Sequence, residues 1–178
     1  MDAAFHQAKR LLSAVPTLAH PAPGSDISVA VDASESHVGA VFQQQVGKDW
    51  VPLSFYSRKL NEAEKKYSAF DRELLAAYSA VRHFRFMLEG RDFTIFTDHK
   101  PLTFAISRTS PPWSARQQRH LSFISEFTSR IVYLPGAENC VADALSRPVT
   151  SEPSPQFKST GIQTFPSPAG SVRTISPA

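Results

Sequence analysis

Residues 67–80 read YSAFDRELLAAYSA. Plotted at helical period, Phe70, Leu74, Ala77, Tyr78, Val81 and Phe84 make one continuous apolar arc. Glu73 falls inside that arc, with Ala69, Ala76, Ala77 and Ala80 as its nearest helical neighbours. On this helix alone two readings stand. Glu73 is either a rim carboxylate, bent outward or paired with Lys66 or Arg72, or an acid placed at the core for its chemistry.

Working outward, the helix spans roughly Glu62 to Leu88 and is stopped by Gly90. Before it, ISVAVDAS puts Ile27, Val29 and Val31 on one face of a strand, VGAVFQQQV reads as a second strand, and WVPLSFYS as a third after the VGKD turn signal. Short links predict an antiparallel meander. After the helix, FTIFTD is a fourth strand and KPLTFAI a short helix with Pro101 in its first turn. Ser114 to Thr128 reads as a helix, RIVYL as a fifth strand and ENCVADALSR as a last short helix. The order βββαβαβα predicts an α/β fold, a five-stranded mixed sheet with flanking helices.

The ends differ from this middle. Residues 1–25 hold a possible short helix, Ala3 to Val15, and a Pro-rich connector, PTLAHPAPGSD. Residues 149–178 are rich in Pro, Ser and Thr without hydrophobic period, which predicts a disordered tail. The folded domain is expected over residues 26–148.

At 178 residues and 42% hydrophobic, the chain can bury one real core. Net charge is only +3, which permits nucleic-acid binding without arguing for it. One cysteine, Cys140, excludes a disulfide framework and a Cys-based zinc site. The N-terminus lacks a secretory pattern and nothing reaches transmembrane length, so an intracellular protein with no membrane partner is expected.

Asp32 lies within the first strand, Asp98 at the end of the fourth, and Asp143 in the last helix beside Val141, Ala142, Ala144 and Leu145. With Glu73, four acids sit in apolar or small-residue settings, and each unpaired buried carboxylate costs several kcal/mol. Too few basic residues lie in these segments to pair with all of them. If the fold gathers them, oxygen-only ligands of this kind suit Mg²⁺ or Mn²⁺, and a pair of such ions hydrolyses phosphodiesters in line. Spacing alone does not show that they converge.

The blocks VDASESHVGAVFQQ, PLSFYSRKLNEAEKKYSAFDRELLAAYSAVRHFRFMLEG, FTDHKPLTF and LPGAENCVADALSRP resemble, in this order, the ribonuclease H domain of reverse transcriptases, above all those of gypsy-type LTR retrotransposons. AFHQAKRLLSAVPTLAHPAP is similar to the segment joining polymerase to ribonuclease H in those polyproteins. The resemblance implies a ribonuclease H-like fold and an endoribonuclease that cuts RNA in RNA–DNA hybrids with two Mg²⁺ ions, Mn²⁺ substituting. Its metal ligands would be Asp32, Glu73, Asp98 and Asp143. It implies as partners the hybrid and a reverse transcriptase polymerase domain absent from this chain, and as location a retrotransposon particle in cytoplasm or nucleus. It favours the functional reading of Glu73. Related enzymes often carry a histidine in the loop before the last Asp; here that loop, LPGAEN, has none.

Lesser candidates for substrate contact each have a structural alternative. His99 could tune the site or serve a local cap; Asn139 could touch hybrid or cap the last helix. Arg116 and Arg119, with His120, suit phosphate contacts or form a solvated polar face. Tyr56, Ser57 and Arg58 stand where they could position hybrid backbone. Trp113 reads as a packing anchor. Two other functions compete: a relic that keeps the fold and binds nucleic acid weakly, and a transposase or integrase core, against which the meander and the Glu on the first long helix argue.

Overall fold

A computed structural model describes residues 21–106, 113–128 and 130–147. The expectations for the tail and for most of the N-terminal connector therefore lie outside the described residues. Five strands form one sheet: β1 (Ile27–Ala33), β2 (His37–Val46), β3 (Asp49–Lys59), β4 (Phe93–Thr97) and β5 (Ile131–Tyr133), in the order β3-β2-β1-β4-β5. β1, β2 and β3 are an antiparallel meander, whereas β4 runs parallel to β1 and β5 parallel to β4. The predicted mixed sheet is present.

Among the described residues four helices flank it: α1 (Ala69–Leu88), α2 (Lys100–Thr103), α3 (Ala115–Ser125) and α4 (Cys140–Ser146). Period-2 alternation sorts the strand residues between two layers. Val29, Val31, Ala40, Phe42 and Ile95 pack with Leu74, Ala77, Phe84 and Ile124 of α1 and α3. Ala30, Val41 and Phe96 face the other way, onto Ala142 of α4. Among the described residues no helix is long and apolar enough to cross a membrane.

One boundary differs from the sequence reading. The segment after β3 does not start the long helix at Glu62. Asn61 Oδ1 accepts from the amides of Ala63 and Glu64, setting a single 3-10 turn over Glu64–Lys66. Ser68 then caps α1 by accepting from Asp71 N–H. Two residues that bond their own backbone thus divide a stretch whose periodicity ran on. The ion pair of Arg58 with Glu64, 2.8 Å, fastens that turn to β3. At the other end, Ser114 and Gln117 form a reciprocal capping box that starts α3.

Gly39 of β2 sits opposite Asp32 of β1 and beneath the backbone of α4. A methyl group there would lie 2.5 Å from Ala142 O, 2.6 Å from Ser146 N and 2.7 Å from Leu145 C. All three are backbone atoms, so α4 itself would have to move. Gly39→Ala is expected to lower unfolding free energy by about 1–3 kcal/mol, as overpacking does. Urea denaturation of both proteins measures it.

Candidate active site

Parallel pairing sets the ends of β1 and β4 side by side. Ala30 is in register with Phe96, so two residues on, Asp32 reaches the level of Asp98. Glu73 comes from the first turns of α1, on the opposite layer to α4, and bridges both strand ends. Its Oε1 accepts from Ala33 N–H at 3.1 Å and its Oε2 from the Thr97 hydroxyl at 3.3 Å. Buried Ala76, Ala77 and Ala80 on the following turns let the helix lie close to the sheet. One oxygen from each of Asp32, Glu73 and Asp98 lies within 4.8 Å of the others.

Asp32 is 8% and Glu73 6% exposed. Neither Lys66 nor Arg72 pairs with Glu73, and among the described residues no ion pair is made by any of the three acids. Burial first, then the charges of Asp32 and Asp98, pushes the Glu73 carboxyl up to about 8. Burial likewise raises Asp32, with Ser146 opposing and Asp98 and Asp143 adding to the rise. At neutral pH the centre therefore retains a proton where a cation would otherwise sit. Three clustered carboxylate oxygens with no basic partner fit a hard divalent cation, which replaces that proton with charge.

Asp143 stands at the margin. It lies on α4, and Arg147 donates to its Oδ1 from Nε at 2.9 Å and Nη2 at 2.7 Å. It is outside the group of three, yet close enough for its charge to be felt at Asp32. The sequence reading missed Ser146, whose hydroxyl bonds the Asp32 carboxylate, and Arg147. The spacing DALSR, three and four residues beyond Asp143 on a helix, was the available signal.

Most lesser candidates have structural partners. Asn139 is 3% exposed and donates to Val31 O at 2.8 Å, which ties α4 to β1; it neither caps α4 through its side chain nor faces solvent. Ser57 donates to Leu145 O at 2.6 Å, another α4 tether. Arg58 is held by Glu64, and the Tyr56 ring packs on His83 at 4.6 Å. Arg116 pairs with Asp71 at 3.1 Å and covers the Tyr67 ring at 3.8 Å. Arg119 is exposed. His99 makes no side-chain cap; its ring packs near Phe70, and burial lowers its pKa although Asp98 pulls the other way. Trp113 stacks on Phe70 at 5.3 Å, the anchor expected of it.

The raised Glu73 carboxyl links stability to pH. Its ordinary value is 4.5 and its folded value about 8, so the folded state holds a proton that the unfolded chain has lost. In EDTA, stability should therefore fall as pH rises from about 4.5 to about 8, by up to roughly 1.4 kcal/mol per pH unit, and level off above. Glu73→Gln should flatten this slope, read from urea melts across that window. Added Mg²⁺ should stabilise the native protein more as pH rises, because uptake of the ion releases the proton.

The profile of the RNase H-like domain found in reverse transcriptase matches residues 22–127, which include Asp32, Glu73 and Asp98. The Tf2-3 and Tf2-4 transposon polyproteins of Schizosaccharomyces pombe are 38% identical over 157 residues, covering 86% of this chain and 12% of their own length. RNase H1 of the halophilic archaeon Halobacterium salinarum has a similar fold: TM-score 0.52, 16% identity, 67% of this chain and 93% of that one. A foamy viral protease-reverse transcriptase, solved in complex with an RNA/DNA hybrid, gives TM-score 0.51 at 14% identity, covering 93% of this chain and 22% of that chain. The structural likenesses carry the fold; the profile match, across more than half of the sequence, shows that this chain belongs to the RNase H-like domain family of reverse transcriptases.

Proposed function

We propose that this domain cuts the RNA strand of RNA–DNA hybrids during reverse transcription of a gypsy-type LTR retrotransposon. The observation that carries the reading is the group of Asp32, Glu73 and Asp98, two of them buried, gathered without a basic partner among the described residues. Two Mg²⁺ ions, or Mn²⁺ in their place, would be held by these three with Asp143 as fourth ligand. The chemistry such ions supply is neutralisation of the phosphate and acidification of a water for in-line displacement.

The chain's own groups prepare that chemistry. Ser146 fixes the orientation of Asp32. Ala33 N–H and Thr97 hold both oxygens of Glu73, so the carboxylate loses little freedom on ligating. Glu73 gives up its proton when the cations arrive. Substrate affinity is another matter: Arg58 and Arg116, two of the residues expected to hold the hybrid backbone, are engaged by Glu64 and Asp71. In the proposed polyprotein the polymerase domain supplies most of the hold on the duplex. The same engagement favours the second reading, a fold-retaining relic with weak nucleic-acid binding.

Labelled RNA–DNA hybrid, single-stranded RNA and the chain, with Mg²⁺ or EDTA, decide between the two. Cleavage of hybrid alone, abolished by EDTA, is expected. No cleavage even with the polymerase domain supplied in trans would establish the relic. Glu73→Gln should reduce cleavage on the order of 10³-fold, equivalent to several kcal/mol of lost transition-state stabilisation. Hybrid binding by the isolated chain should be weak and fall steeply with salt, since phosphate contacts dominate such affinity; submicromolar binding at high salt would contradict this.

A further inference from the structure

Asp143, in the first turn of α4, and Arg147, the residue that caps its C-terminus, lie four residues apart on its surface. Their side chains are 39% and 68% exposed, and both Arg147 donors converge on a single carboxylate oxygen. An exposed pair of this kind is weakly held. Arg147 is also the cation whose charge is felt at Asp32. Its neighbour Ser146 is fully buried and bonded to Asp32, so the end of α4 joins a fixed residue to an exposed one. Among the described residues the three carboxylates of the centre make no ion pair, while the marginal fourth has a partner that can leave.

We propose that Arg147 is an exchangeable counter-ion: it holds Asp143 until a divalent cation claims that carboxylate, and its guanidinium then passes to a backbone phosphate of the bound hybrid. The inference deepens, and rests on, the hybrid-cutting reading above. The guanidinium fork that now meets one carboxylate oxygen matches phosphate equally well. The exchange couples two events that the reaction needs together. A cation entering without substrate must displace Arg147 into water, whereas one entering with substrate moves it onto a phosphate. Arg147 is thus a positioning residue, acting through Asp143 before substrate arrives and on the backbone afterwards.

Ion uptake without nucleic acid gives the first readout. Mg²⁺ or Mn²⁺ titrated into the full chain, followed by calorimetry and thermal melting, should bind R147Q roughly two- to fivefold more tightly than the native chain, the range that breaking an exposed pair allows. In an Asp143→Asn background the same substitution should tighten uptake much less, leaving only the effect of its charge at Asp32. Weaker or unchanged uptake by R147Q overturns the proposal. So does equal tightening in the Asp143→Asn background, which would reveal only the general field of the charge. A native chain that takes up no divalent ion overturns the hybrid-cutting reading and the exchange with it, so the two failures are distinguishable. The second readout is the salt dependence of hybrid binding, with Ca²⁺ replacing Mg²⁺. The slope for R147Q should be smaller by about one phosphate contact with ion present and unaltered in EDTA. A loss of slope that is the same in both conditions makes Arg147 a constant phosphate ligand and overturns the exchange.

Discussion

The repulsion among Asp32, Glu73 and Asp98 is the constraint to which the rest of the centre answers. Three carboxylates whose oxygens approach within 4.8 Å, two of them buried, oppose the folded state unless something neutralises them. Hydrogen bonds do part of this. Ala33 N–H and the Thr97 hydroxyl meet Glu73, and Ser146 meets Asp32. They do not suffice, since burial and mutual charge still raise both acids. A retained proton completes the neutralisation in a metal-free protein.

Holding such a group together requires grips from both faces of the sheet. α1 delivers Glu73 from one layer and α4 delivers Ser146 from the other, each to a strand end fixed by parallel pairing of β1 and β4. α4 has only seven residues and buries only Ala142 and Ser146 among its side chains, so polar tethers help to place it: Asn139 to Val31, Ser57 to Leu145, and Ser146 to Asp32. Gly39 makes the close approach possible. A helix docked by hydrogen bonds is oriented more narrowly than one docked by side-chain packing, because each bond has a direction.

Much of this was legible in the sequence, for identifiable reasons. Period-2 and period-3.6 patterns reflect the two layers, so the strands, α1 and the anomalous position of Glu73 could be read from residue order alone. Asp32 stood out as an acid within an apolar strand and Asp98 as one at the end of another. What failed to show was anything set by pairing across the chain. The partners of Arg58 and Arg116 are a turn and a helix start whose distance is fixed only by the fold. Residue order alone leaves Asn139 between a hybrid contact and a helix cap because its acceptor, Val31 O, is 108 residues away. The start of α1 was misplaced because hydrophobic period is blind to side chains that bond their own backbone, as Asn61 and Ser68 do.

The four acids therefore divide by the kind of neutralisation each receives. Asp32, Glu73 and Asp98 are buried or half-buried where, among the described residues, no lysine or arginine side chain pairs with them. Asp143 is half exposed and meets an arginine from its own helix. An exposed guanidinium is solvated well whether paired or free, so releasing it costs little. The enclosed acids set what the centre attracts. The marginal acid, with a partner that water can replace, is the place where its composition can change without disturbing the core.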